Sequence, residues 1–155
     1  MRIDYLVDHP NQMATVAAWH HAAFGHLDPS KTLTDRVHTL TTSMQRDALP
    51  LGLVAHAADG TALGCASLVL RTLTHPELGP WLSAVYVEPG HRGLGVASAL
   101  AERAAGECAR LGFPELYLFT PHHESLYRRL GWVSIDRTRI NEIAAVVMKR
   151  WIRWR

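Results

Sequence analysis

The chain has 155 residues, 48% of them apolar and 19% charged, with 11 glycines and 8 prolines. That length predicts one domain whose core needs no covalent staples, and the composition excludes the disordered and fibrous classes. Lys and Arg number 16 against 14 Asp and Glu, a formal charge of +2, which excludes a dominant electrostatic hold on nucleic acid or an anionic membrane but leaves room for a local anion site.

Ile3–Val7 alternates in polarity and reads as a first strand, ended by His9, Pro10 and Asn11. Asn11 stands where it can cap a helix from Gln12 to Phe24, whose Val16, Trp19 and Phe24 keep roughly helical spacing before Gly25 stops it. A loop over Gly25–Lys31 follows. Thr32 or Thr34 then opens a second helix with Val37, Leu40 and Met44 on one stripe. Leu51–Ala58 and Ala62–Leu73, joined at Asp59 and Gly60, read as a hairpin, because Asp-Gly readily adopts the positive φ such a turn needs. Thr74–Pro80 connects to a fourth strand, Trp81–Val87, ending at Glu88, Pro89 and Gly90.

The strongest helical pattern is Leu94–Leu111, where Ala97, Leu100, Ala104, Cys108 and Leu111 recur at three and four residues and Gly112 terminates the run. Glu115–Phe119 reads as strand, Glu124–Leu130 as a short helix closed by Gly131, Trp132–Ile135 as strand, and Asn141–Met148 as the strand that closes the sheet before a basic tail, Lys149–Arg155. Strand and helix alternate through the middle of the chain, which requires an α/β sheet with a parallel portion. With no repeat, low-complexity segment or linker, residues 1–155 read as a single domain.

Cys65 and Cys108 fall in apolar runs and are expected as free thiols of a reducing compartment. Together with the lack of a signal-peptide core and of an 18-residue apolar stretch, they predict a cytoplasmic protein with no membrane partner. The ten histidines suggest no metal site: His20-His21 and His122-His123 are adjacent pairs that point apart on a helix, and neither His-Glu-x-x-His nor Cys-x-x-Cys occurs. Trp81, Trp132, Trp151 and Trp154 read as core and edge packing, since no arginine stripe interleaves with them.

Chemistry concentrates at Val85–Ser98. A strand ends at Pro89, crosses a turn holding Gly93 and Gly95, and enters the strong helix. The first N–H groups of a helix lack internal partners and carry the positive end of its dipole. Glycines let the chain turn sharply and let an anion approach, and Arg92 adds a charged fork. This is a cradle for phosphate or pyrophosphate. The triphosphatase loop Gly-x-x-x-x-Gly-Lys-Ser/Thr and the third glycine of the dinucleotide fingerprint are both missing.

Arg92-Gly93-Leu94-Gly95-Val96-Ala97, preceded by Val85–Pro89 and followed by Leu126-Tyr127-Arg128-Arg129-Leu130-Gly131-Trp132, resembles the GCN5-related N-acetyltransferases, whose motifs are Arg/Gln-x-x-Gly-x-Gly/Ala and Leu-Tyr-x-x-x-Gly-Phe. The motifs match over Val85–Trp132; before that only the order of elements fits. The resemblance implies a single-domain mixed sheet of about six or seven strands flanked by about four helices. It also implies an acetyl-coenzyme A site, with the pyrophosphate at Arg92, Gly93, Leu94, Gly95, Val96, Ala97 and Ser98, and the pantetheine arm along Val85, Tyr86 and Val87, where the strand is splayed from its neighbour. Tyr127 would donate a proton as coenzyme A leaves. A phenol of pKa near 10 keeps its proton at neutral pH, and a thiol of pKa near 8.5 is a tolerable leaving group.

Thr120 stands where members of that family commonly carry Asn, and offers a hydroxyl in place of a carboxamide. The implied reaction is acetyl transfer to a primary amine, on a small molecule or a peptide, by direct attack, with a main-chain N–H near Val87 meeting the oxyanion. The alternative is a non-catalytic acyl-coenzyme A-binding or regulatory module of the same fold. Asp28, Asp35, Glu77, Ser83 and Tyr86 are candidate bases with none assigned, His122 or His123 is a candidate active-site group, and Arg128 or Arg129 could meet the 3′-phosphate of coenzyme A. Edge strands and the Trp-bearing tail are compatible with a homodimer.

Overall fold

The computed structural model describes residues 1–152. Its eleven main elements are β1 (Arg2–Tyr5), α1 (Met13–Phe24), α2 (Leu33–Thr42), β2 (Leu51–His56), β3 (Ala62–Val69), β4 (Trp81–Val87), α3 (Val96–Leu111), β5 (Glu115–Thr120), α4 (Glu124–Arg129), β6 (Val133–Ile140) and β7 (Ile143–Trp151). They form one seven-stranded mixed sheet in the order β1-β2-β3-β4-β5-β7-β6. Every neighbouring pair is antiparallel except β4 and β5. No helix among the described residues is long and apolar enough to cross a membrane.

The sheet is covered on both faces, and β2 records this directly. Leu51, Leu53 and Ala55 pack into the cluster that holds Leu100, Ala101, Ala104 and Cys108 of α3. Val54, which points the other way, packs with Val16 and Ala17 of α1 and Leu40 of α2. A strand buried on both faces is apolar throughout, as β2 is apart from its terminal histidine. At the sheet edge, Glu107 of α3 is 3% exposed and accepts from Arg110 Nε at 2.6 Å and Arg103 Nε at 3.4 Å. Arg103 Nη1 donates to the Ile3 carbonyl at 2.7 Å, and the Arg46, Arg103 and Arg110 guanidiniums lie 5.2–5.8 Å from the Tyr5 ring centre. Those contacts tie α3 to the edge strand β1.

Several expected boundaries move for identifiable reasons. β1 ends at Tyr5, because the chain tightens into a 3₁₀ turn over Leu6–Asp8 that tucks Leu6 wholly into the core. β3 ends at Val69 rather than Leu73, and α3 begins at Val96 rather than Leu94, since Gly95 sits at φ +83°, a left-handed conformation outside the helix. β6 runs on to Ile140; its exposed Asp136, Arg137 and Arg139, with half-buried Thr138 among them, hide the strand pattern from sequence. The turn to β7 is Asn141–Glu142, both at positive φ, so Asn141 belongs to the turn and not to the last strand. Of the expected basic tail, Lys149–Trp151 complete β7, while 153–155, with Trp154, lie outside the described residues.

The feature that positions the site lies in the middle of the sheet. β4 and β5 share one register pair, Trp81 with Tyr117, supported by a hydrogen bond from Tyr117 N–H to the Pro80 carbonyl at 3.0 Å. Beyond it the strands part. On the other side of β4, Cys65 pairs with Tyr86 but Ser67 pairs with Ser83, so β4 carries one extra residue against β3. Ala84 lies in that bulge at φ +53°. A bulge bends the strand that holds it and increases its twist, which turns the end of β4 away from β5.

Candidate active site

Between the parted strands lies a cavity of about 790 Å³. Val85, Tyr86, Val87, Arg92, Gly93, Gly95, Val96, Ala97, Ser98, Thr120 and Tyr127 all line it. Leu94 is the exception among the expected residues: its side chain is 71% exposed and lines no part of the cavity, so only its main chain can serve a ligand there.

At one end stands the N-terminus of α3. Gly95 caps it, no side chain accepts from the first turn, and no acidic residue occupies that turn. The Ala99 N–H bonds back to the Gly95 carbonyl at 3.0 Å, and the N–H groups before it have no intrahelical acceptor. Gly93 and Gly95 lie at φ +78° and +83°, and a Cβ at either would enter open space. The requirement for glycine is therefore backbone conformation. Arg92 is held back along β4 by a 2.9 Å hydrogen bond from Nε to the Val87 carbonyl, with its guanidinium 5.6 Å from the Tyr86 ring centre.

Tyr127 stands on α4, 6% exposed, its ring edge-on to Trp132 with centroids 5.9 Å apart. Burial pushes its phenol up to about 12, so it is protonated throughout the physiological range. The turn into α4 is pinned by Thr120, whose Oγ1 accepts from the His123 N–H at 3.0 Å and the His122 N–H at 3.4 Å. The Thr120 hydroxyl hydrogen stays available to a ligand. After α4, the Trp132 N–H returns to the Tyr127 carbonyl at 3.1 Å.

The other end is lined by α1, α2 and the residues after β3. Its buried polar groups include His20, 9% exposed, whose Nε2 has no hydrogen-bond partner among the described residues. Burial first, and the Arg36 guanidinium second, push the His20 pKa down to about 4. Arg36 Nε is likewise buried without a partner, and Arg36 Nη2 makes one long bond, 3.4 Å, to the Asp28 carbonyl. Lys31 and Arg71 also line this end, and Asp28 is the one carboxylate in the cavity lining among the described residues. It accepts from the Ser30 hydroxyl at 2.8 Å.

Of the candidate bases, Asp28, Ser83 and Tyr86 line the cavity, as do His122 and His123. Asp35 does not; it closes a capping box with Thr32 at the start of α2. Glu77 is exposed in the β3–β4 connection. Arg128 pairs with Glu124 at 3.0 Å, and neither Arg128 nor Arg129 lines the cavity. Both cysteines are free and buried, with thiols pushed up to about 12 by burial, and neither reaches the cavity. His20 and Arg36 were not singled out by sequence as functional, because each becomes a cavity residue only through the packing of α1 on β4 and of α2 on α1.

A family model described as the acetyltransferase (GNAT) family matches residues 13–132. No curated protein is significantly similar in sequence. Among solved structures, an aminoglycoside 6′-N-acetyltransferase complexed with coenzyme A superposes with a TM-score of 0.77 at 14% identity, over 100% of this chain and 99% of that one. A GNAT-family acetyltransferase from Streptococcus pneumoniae gives 0.71 at 18% identity, over 97% and 98%. A spermidine N-acetyltransferase chimera with a Vibrio cholerae parent gives 0.73 at 16%, over 97% and 94%. At these identities the likeness carries the fold.

The buried histidine makes stability depend on pH. The unfolded chain takes up a proton near the ordinary value of 6.5, the folded chain only near 4, so between those values the unfolded state binds more protons and stability falls as pH falls. The full loss attributable to His20 is roughly 3 kcal/mol. Urea denaturation of the parent and of His20→Asn between pH 7 and 4 checks this: the variant should lose distinctly less stability across that window. Equal losses would show that His20 titrates normally.

Proposed function

The chain belongs to the acetyltransferase (GNAT) family, and from that membership we propose that the cavity seats acetyl-coenzyme A between α3 and β4, with a primary amine beyond Tyr127 at the α1–α2 end. The protein is an acetyl-coenzyme A-dependent N-acetyltransferase. The observation that carries the reading of the site is the parting of β4 and β5 after a single register pair, which leaves the Val85–Val87 backbone, the open N-terminus of α3 and Tyr127 around one cavity.

When bound, acetyl-coenzyme A supplies an acyl carbon activated as a thioester. The residues present fit it. The uncapped N–H groups of Val96, Ala97 and Ser98 and the nearby Arg92 guanidinium suit a pyrophosphate, and the β4 edge offers main-chain partners to the amides of the pantetheine arm. Holding an amine against that carbon supplies much of the acceleration by itself. A main-chain N–H near Val87 meets the carbonyl oxygen as it gains charge on direct attack. Tyr127 gives its hydroxyl proton to the sulfur as the carbon–sulfur bond breaks, and the proton that the attacking nitrogen sheds passes to water, from which the phenol is restored. The raised phenol does not unfit it for this, because a thiolate forming in the same buried surroundings is raised too, as the two buried cysteines are. No thiol of the chain is placed for a covalent acyl carrier, which favours a ternary complex over a two-step route.

The acceptor end narrows the amine. Lys31, Arg36 and Arg71 stand there against Asp28 alone, and the Arg36 guanidinium has no carboxylate partner among the described residues. A half-buried guanidinium without a counter-ion is stabilised by a ligand anion. We therefore read the acceptor as a small primary amine that also bears a carboxylate or similar anion; a polycation would meet like charge. Further support exists for two accompanying readings. Reduced, buried cysteines suit a cytoplasmic protein, and the exposed Val133, Ile135 and Trp151 along β6 and β7 suit a homodimer formed at that edge. A single domain is the economical reading of one sheet that every helix packs upon.

Two variants test these roles. Tyr127→Phe should lower the single-turnover acetyl-transfer rate by about 10²-fold or more, with the affinity for acetyl-coenzyme A unchanged. Because the phenol is pushed up to about 12, the parent rate should rise with pH as the amine loses its proton and show no falling limb below pH ~10. Equal rates for parent and Phe variant would remove Tyr127 from the chemistry. Arg36→Gln should raise KM for carboxylate-bearing amines by about tenfold or more, as loss of a charge-assisted hydrogen bond does, and leave their amide analogues nearly unchanged. An equal effect on both classes would overturn the anionic-acceptor reading.

A further inference from the structure

Away from the cavity, at the β1 edge of the sheet, three potential metal ligands meet. Arg2 pairs with His56 and Asp4 with Val54 in the β1–β2 ladder, so Asp4 and His56 are diagonal neighbours on one face. The 3₁₀ turn that follows β1 then brings His9 back over them, its N–H bonded to the Leu6 carbonyl at 2.8 Å. His9 Nε2 lies 3.1 Å from Asp4 Oδ2, and His56 Nδ1 lies 3.3 Å from the same oxygen. All three ligand atoms fall within 4.8 Å of one another.

The hydrogen bonds around His56 determine which nitrogen carries its proton. Gln12 Nε2 donates to the Gly60 carbonyl at 3.3 Å, so Gln12 turns its carbonyl oxygen to His56, 2.5 Å from Nε2. An amide oxygen only accepts, and His56 Nε2 must therefore be the donor. That leaves Nδ1 of the neutral ring as a bare lone pair. His56 is 3% exposed, and its Nδ1 has no hydrogen-bond partner among the described residues. Instead it faces the Asp4 carboxylate, which is also an acceptor. The buried Nδ1 lone pair and the part-exposed Asp4 oxygen, 3.3 Å apart, repel unless a cation lies between them.

We propose that Asp4 Oδ2, His9 Nε2 and His56 Nδ1 bind a zinc ion. Zinc binds imidazole nitrogen and carboxylate oxygen at about 2.0–2.2 Å, and the edge of such a tetrahedron is about 3.3 Å. Two edges of the cluster, 3.1 and 3.3 Å, match it. Gln12 holds the His56 tautomer as an outer-shell partner does in metal sites. Arg2 also donates to Asp4 Oδ2, at 2.9 Å, but its side chain is 74% exposed and leaves without cost to the core. His9 and Asp4 side chains are 26% and 23% exposed, so the fourth position opens to water. None of the three residues lines the catalytic cavity. The ion is therefore structural: it joins the edge strand, the turn after it and the end of β2, and the proposal stands or falls independently of the acetyl-transfer reading.

The test uses the whole protein, freed of metal by chelator and titrated with zinc chloride by calorimetry. The expected result is one ion per chain bound with micromolar affinity or tighter, a rise in Tm on zinc addition, and a tetrahedral visible spectrum when cobalt(II) replaces zinc. Asp4→Asn and His9→Ala should each abolish the stoichiometric binding while the fold persists by circular dichroism, and Gln12→Ala should weaken it roughly 10–100-fold. No uptake by the parent overturns the proposal. So does equal uptake by Asp4→Asn, which would point to other surface histidines. A proton instead of a metal at this position, seen as a doubly protonated His56 ring at neutral pH in the metal-free and zinc-treated protein alike, overturns it too.

Discussion

The separation of β4 from β5 is the constraint on which the site depends. A parallel pair would normally bond along its length, and these two strands bond at Trp81 and Tyr117 only. The extra residue at Ala84 turns β4 away at the cost of a positive φ, and backbone held in that region persists only where surrounding structure over-determines it. Here β3 grips β4 on both sides of the bulge, and Trp81 packs among Tyr117 and Val147 in a cluster of its own. What the sheet loses in ladder hydrogen bonds it returns as an exposed main-chain edge inside a cavity.

Burial does the electrostatic tuning. The same low-dielectric surroundings push the Tyr127 phenol up and the His20 imidazole down, so both stay uncharged at neutral pH. The charges around the cavity are then carried by Arg92 beside α3 and by Lys31, Arg36, Arg71 and the carboxylate of Asp28 at the far end. The division gives the two ends different tasks. On the proposed reading, one presents main-chain donors to an extended anion, and the other presents cations beside a neutral histidine.

What could be read from sequence was whatever backbone geometry dictates locally. Gly93 and Gly95 stand in left-handed conformations that side chains avoid, so the turn into α3 is written in residue types. Tyr127 was legible only through the resemblance of Leu126–Trp132 to the family's motif, and its edge-on packing against Trp132 is a feature of the folded chain. The start of α3 and the extent of β6 were misplaced, since Leu94 is apolar yet exposed and the charged residues of an edge strand resemble a loop. His20, Arg36 and the Asp4–His9–His56 cluster had no local signal. Each owes its role to elements that meet only in the folded sheet, and the two histidines of the cluster are neither adjacent nor at helical spacing.

The central claim is that coenzyme A lies in the gap between β4 and β5 with its pyrophosphate on α3. The most direct measurement is a titration of ¹⁵N-labelled protein with coenzyme A, followed by amide chemical shifts residue by residue. The expected result is a contiguous set of large changes at Val85–Val87, Arg92–Ser98 and Thr120, with Asp4 and His56 at the β1 edge unmoved. Large changes confined to the β6–β7 edge or to β1 and β2, with the Arg92–Ser98 amides silent, would contradict it.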